Sequence, residues 1–180
     1  ALARAQLEAG ATYEAVSGLK DALRRIPGSK VKARKKLRVQ LGRALLADGQ
    51  RAEGAELLTN LLKEDMEDAD ALDAYAEASL DLGHADSAIQ IYLRLVTARS
   101  KDKGVRKRLA RALASPGGIE ALQSELSFDE ATAPALAFLA VIAKDHSALC
   151  EAVFLLRTAS RLLPANSSYA LNLSHMHETM

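Results

Sequence analysis

The chain has 180 residues, 49% of them hydrophobic, which is enough length and apolar content to bury a core and excludes a disordered segment. Its 24 lysines and arginines stand against 23 aspartates and glutamates, a net charge of +1, so no global field draws it onto nucleic acid. The single cysteine, Cys150, excludes an internal disulfide, and no run approaches the ~18 apolar residues of a membrane-spanning helix.

Alanine and leucine dominate and only four prolines interrupt the chain, a distribution that predicts an all-α protein with short connectors. Leu2, Ala5 and Ala9 fall at helical spacing from the first residues onward. With Ala rather than Met at position 1, this suggests a fragment of a longer protein. Ala15, Leu19 and Ala22 continue on a second helix that Pro27 ends. A third helix is predicted from near Lys30 to Asp48, and Gly49 then stops it in a left-handed conformation that a Cβ would make costly. A fourth carries Gly54, Leu58 and Leu61. The next pair carries Leu72, Tyr75 and Ala76, then Ala85, Ala88, Ile89, Tyr92, Leu95 and Val96, with Gly83 between them. Beyond residue 102 the pattern weakens. Ser115-Pro116-Gly117-Gly118 breaks the chain, and the helix from Ile119 to Leu126 is short. Residues 133–166 recover a full pair through Leu136, Leu139, Ala140, Ala143, Ala152, Leu156, Ala159 and Pro164. A last helix begins near Ser168.

The three turn glycines, Gly49, Gly83 and Gly117, repeat at a period of 34 (83 − 49 and 117 − 83). Small residues recur where two antiparallel helices must approach: Gly42, Ala76, Ala110 and Ala140 in the first helices, Ala15, Ala88 and Ala152 in the second. This period, with Leu41-Gly42, Tyr75-Ala76 and Leu139-Ala140 in the first helices and closing prolines at Pro27 and Pro164, resembles the tetratricopeptide repeat (TPR) family. The resemblance implies a right-handed α-solenoid of antiparallel helix pairs. It divides the chain into repeats at approximately 1–29 (partial), 30–68, 69–102, 103–132 (degenerate), 133–166 and 167–180 (partial), all in one array. Solenoid ends need covering, so further repeats or another chain are expected at both ends.

No nucleophile–base pair, metal cluster or phosphate loop is visible, and neither catalysis nor a cofactor is expected. His84 and His146 fall in turns, and His175 and His177 are two apart on a helix and cannot share a metal. Cys150, beside Leu149, Ala152 and Val153, is expected in the core, and a reducing cytoplasmic or nuclear setting follows from its lone thiol. Asp65, Glu67 and Asp68 read as solvated connector. Two basic clusters, Lys30 to Arg38 and Lys101 to Arg111, are open to three readings: solvated helix faces, a surface for an acidic partner, or a nucleic-acid contact. Few aromatics are interleaved to stack single-stranded bases.

In the family, first helices line a concave surface that holds a partner peptide or helix. The resemblance therefore implies partner-binding residues Lys36, Gln40 and Arg43, with Val39 beside them; Asp70, Asp73, Glu77 and Asp81; Lys107, Arg108 and Arg111; and Phe138 and Val141 with Ala137, followed by Leu171, Asn172 and His175. Asp70, Asp73, Glu77 and Asp81 also share one face by helix geometry, and four acids in a row require neutralisation. It can come from a partner's cations or from the basic rows on either side. Together these residues suggest a mixed-charge protein partner with an apolar anchor, with a membrane not expected and nucleic acid less favoured. The lysine and asparagine clamp for heat-shock chaperone C-termini is missing, since Val39, Arg43, Asp73 and Glu77 hold its places. The function implied is a scaffold or adaptor segment. The alternatives are a non-catalytic targeting segment of a larger enzyme and an RNA-binding helical repeat.

Overall fold

The computed structural model describes residues 11–178, and all regular structure in them is helical. Among the described residues there are ten α-helices: α1 (Thr12–Arg25), α2 (Val31–Ala47), α3 (Arg51–Glu64), α4 (Ala69–Asp81), α5 (Ala85–Ala98), α6 (Lys103–Leu113), α7 (Gly118–Glu125), α8 (Ala133–Asp145), α9 (Leu149–Leu162) and α10 (Ser167–Glu178). A single 3-10 turn, Glu130–Thr132, precedes α8. Nine helices thus precede Asn166 and a tenth follows, matching the expected order. The helix expected around Leu2, Ala5 and Ala9 lies outside the described residues. The described residues fall into two compact units, 11–78 and 79–178.

In the first unit, α1 buries Ala15, Val16 and Leu19 against Leu41, Ala44 and Leu45 of α2. The far side of α2 gives Val39 to a second cluster with Leu58 and Leu61 of α3 and Ala71 and Ala74 of α4. Gly42 lets α2 and α3 cross closely, because a methyl there would fall 2.8 Å from Leu58 Cγ. Arg34 donates from Nη1 to the carbonyl oxygens of Leu23 (3.1 Å) and Ile26 (3.0 Å), satisfying acceptors that the end of α1 leaves open. One member of the first basic cluster is therefore a helix cap.

In the second unit, α5 turns Ala85, Ala88, Ile89, Ile91, Tyr92, Leu95 and Val96 to the core. It packs on both α6 and α7, while α8 packs on α6, α9 on α8, and α10 on α9. The degenerate segment has a physical explanation. After Leu113 the chain turns through Ser115, Pro116 and Gly117 straight into α7, where Gly118 lies against the backbone carbonyls of Ala112 and Leu113, too close for any Cβ. The resulting α7 has only 8 residues and lies chiefly on α5, with Leu122 buried where the other second helices carry a small residue.

Gly49, Gly83 and Gly117 take φ of 82°, 84° and 78°. A fourth left-handed residue, Ser147 at φ 67°, has no glycine to mark it in the sequence. The turns at Gly49, Gly83 and Ser147 close in the same way. The residue after the left-handed position donates its N–H to a carbonyl five residues back (Gln50 to Leu45, 2.8 Å; His84 to Ser79, 2.9 Å; Ala148 to Ala143, 2.9 Å).

Candidate functional site

The first unit carries the expected residues Lys36, Gln40 and Arg43 on α2 and Asp70, Asp73 and Glu77 on α4. Lys36, Gln40 and Asp70 are exposed. Val39, expected beside them, instead belongs to the core, because its side of α2 meets α3 and α4. Arg43 joins the two helices: Nη2 donates to Asp73 Oδ2 at 2.5 Å, and Nη1 lies 3.7 Å from Glu77 Oε2. Asp73 is itself largely buried, only 6% exposed. Asp73 and Glu77, for which a partner's cations were one of two expected sources of neutralisation, thus find it in an arginine of their own chain.

The connector acids are paired as well. Lys35 Nζ lies 2.7 Å from both Asp65 and Asp68, and Arg38 grips Glu64 with two hydrogen bonds of 2.7 and 2.8 Å. These bonds hold Glu64 and Asp65 below the usual carboxylate range and raise Lys35 above the usual lysine value. Burial works to raise Asp68, but the Lys35 bond and the N–H of Ala71 outweigh it and leave it lowered. Asp65 and Glu67 are exposed, as the solvated reading expects, while Asp68 is half-buried and shares Lys35 with Asp65. Lys35, Arg38 and Arg43 thus pair within the unit, while Lys36 remains exposed.

The second unit differs. Its helix α6 carries Lys103, Arg106, Lys107, Arg108 and Arg111 and no acid. Arg111 pairs with Asp81 at 2.6 Å, both partners being exposed. The Arg106 guanidinium lies over the Phe138 ring of α8, 5.5 Å from its centre. Phe138 and Val141 remain 40% and 38% exposed, large apolar residues set three apart on one side of α8. Beside Val141 a cavity of about 310 Å³ opens between α8, α9 and α10, lined by Val141, Lys144, Leu156, Asn172, His175 and Met176. The structure thus brings Val141 together with Asn172 and His175. Lys144 and Met176 are additional lining residues that the repeat register does not single out. The helical period could have found the first of them, since Lys144 lies three residues after Val141 on the same side of α8.

No group of three His, Cys, Asp or Glu side chains that could hold a metal occurs among the described residues, and no single helix there is long and apolar enough to cross a membrane. Cys150 is exposed, against expectation. The buried stripe of α9 runs through Ala152, Val153, Leu155, Leu156 and Ala159, and Cys150 falls in the first turn outside it. Phe154, also outside that stripe, rests 6.5 Å from Phe128 of the segment before α8.

No family model matches the chain, and no curated protein matches it. Solved structures do. The nearly identical TPR-like repeats of a protein assigned as a kinesin light chain of Podosopora anserina align with a TM-score of 0.55 at 21% identity, covering 89% of this chain and 91% of that one. A single-substitution form of the same repeats gives 0.56 at 20%, covering 93% of each. A tetratricopeptide repeat protein from Parabacteroides merdae gives 0.50 at 16%, covering 97% of this chain and 69% of that one. At such identities the likeness concerns the backbone, and it agrees with the period of 34, the buried small residues at helix crossings and the left-handed turn residues. The chain has the fold of a TPR-like helical repeat protein.

Proposed function

We propose that this chain is a protein-interaction segment, a scaffold or adaptor that holds a partner's peptide or helix on the face formed by α6, α8 and α10. One observation carries this reading. Phe138 and Val141, both exposed, stand next to an apolar-floored cavity on the row of first helices, and Leu171 of α10 on the same row is exposed as well. A folded chain leaves large apolar residues beside a concavity where something is to cover them. The TPR-like fold supports the reading, since such repeats present first helices side by side as a platform. On this reading the chain does no chemistry of its own, and its setting is cytoplasmic or nuclear.

The test places a photo-crosslinking amino acid at Phe138 or Val141 in the full-length protein in its own cells. The expected result is one and the same crosslinked partner from both positions. A matching position at Arg157, exposed on α9, should not give it. If Arg157 captures the same protein as readily as Phe138, this face is not the binding surface.

A further inference from the structure

We propose that the partner segment held on the α6–α8–α10 face is acidic, seating one aliphatic side chain in the Val141–Met176 cavity and a carboxylate on Arg106. This rests on the reading of that face as the partner-binding surface and gives the partner a definite chemistry.

The apolar half of the argument is the cavity. Its volume of about 310 Å³ lies at the small end of the ~300–1,000 Å³ typical of ligand pockets, room for an anchoring side chain and little more. Val141, Leu156 and Met176 give it aliphatic and thioether walls. It has no Phe, Tyr or Trp wall on which a nucleobase could stack, which favours a peptide over single-stranded RNA.

The charged half is Arg106. It forms no ion pair among the described residues, and its Nε is buried without an acceptor. Its guanidinium is held over Phe138, an arrangement that occupies the π-face and leaves the in-plane N–H groups for an anion. Lys107 on the same helix and Lys144 at the cavity rim are likewise without an ion pair among the described residues. Few of the second unit's acids stand on these helices: α6 has none beyond its N-cap Asp102, which bonds the N–H groups of Gly104 and Val105, α8 has Asp145 and α10 Glu178, each at its end, and Asp81 is taken by Arg111. In the first unit comparable cations are matched by Glu64, Asp65, Asp68 and Asp73. A mixed-charge partner fits the chain as a whole, but this face is basic and apolar, and an acidic segment with an aliphatic anchor complements it.

The test is fluorescence anisotropy with labelled probes against the purified chain. The probes are a Glu/Asp-rich peptide with a central leucine, the same peptide with alanine for leucine, a Lys-rich counterpart with the leucine, and a single-stranded RNA. The leucine-bearing acidic peptide should bind tightest, roughly 10-fold over its alanine form, with an affinity that falls as salt rises. Arg106→Gln and Lys144→Glu should each weaken it several-fold and leave helicity unchanged, whereas Lys63→Glu on α3 should not. Preference for the Lys-rich peptide or the RNA overturns the proposal, as does binding untouched by Lys144→Glu, an exposed position whose replacement does not disturb packing. If no peptide binds while crosslinking at Phe138 still captures a partner, the acidic proposal fails and the interaction face stands. If crosslinking fails too, both fall.

Discussion

Ser147 follows Ala140 by seven residues and adopts φ 67°, the same offset at which Gly49 follows Gly42, Gly83 follows Ala76 and Gly117 follows Ala110. The small residue marks where two helices cross, and the left-handed residue seven later ends the first of them. Only the fourth turn uses a side chain that the left-handed region disfavours, by roughly 1–2 kcal/mol for an L-residue.

Ser147→Gly should therefore stabilise the protein by about 0.5–1 kcal/mol, and Ser147→Val should destabilise it. Urea unfolding of the three forms side by side checks this. A Gly form no more stable than wild type would mean that the turn carries no strain.

Replacing Ala140 with Leu should cost roughly 1–3 kcal/mol, because Ala140 and Ala152 are both fully buried and the added carbons have nowhere to go. Gly118→Ala should be as costly by a different route, since its Cβ would meet the backbone carbonyls of Ala112 and Leu113 rather than a movable side chain. Thermal melts matching wild type for both variants would show that these crossings are misplaced.

Asp73 is nearly buried and Arg43 about two-thirds so, and Nη2 of the arginine donates to the carboxylate while its Nε has no acceptor. Asp73→Ala leaves the guanidinium short of its main acceptor and should cost roughly 2 kcal/mol, below the range for a fully buried pair because Arg43 is still partly hydrated. Adding Arg43→Met to that variant should recover part of the loss. Strictly additive losses in the double-mutant cycle would mean that the two residues are not coupled.

The first unit should also respond to pH. Glu64, Asp65 and Asp68 titrate lower in the folded chain than in the unfolded chain. Their stabilisation is therefore present above about pH 4 and drains away as pH falls through their lowered values. Lys35 is raised, so its contribution holds below about pH 10.4 and is lost as pH climbs through its higher folded value. Lys35→Met should move the acid-unfolding midpoint of circular dichroism upward and reduce its salt dependence. An unchanged midpoint would show that these exposed bonds add nothing.

Cys150 should react with a maleimide at full rate in the native protein, being outside the core. Protection that disappears only on unfolding would place it back inside.

Much of the fold was legible because its determinants are local. Helix ends follow from Gly49, Gly83, Pro27 and Pro164, and buried faces follow from apolar spacing such as Ala85, Ala88, Ile89, Tyr92 and Val96, all of which act within a turn or two of the chain. The turn at Ser147 is hidden because no glycine marks it and because the short α7 cuts the interval from Gly117 to 30 residues (147 − 117). Cys150 is misleading because its apolar neighbours share its stretch of sequence but not its side of α9.

Helix ends and the small residues at crossings depend on residues within one repeat, and the period only on their recurrence along the chain, so all three can be read before it folds. The pairing of charges cannot. Arg43 with Asp73 and Arg111 with Asp81 each span 30 residues, and an ion pair depends on side-chain reach between neighbouring helices, which periodicity does not encode. That pairing, settled only when the helices pack, ties Asp73, Glu77 and Asp81 to arginines of the same chain and leaves Asp70 and Asp81 exposed. Arg106 over Phe138 and the cavity beside Val141, both set by the same packing, form the face proposed here to hold a partner.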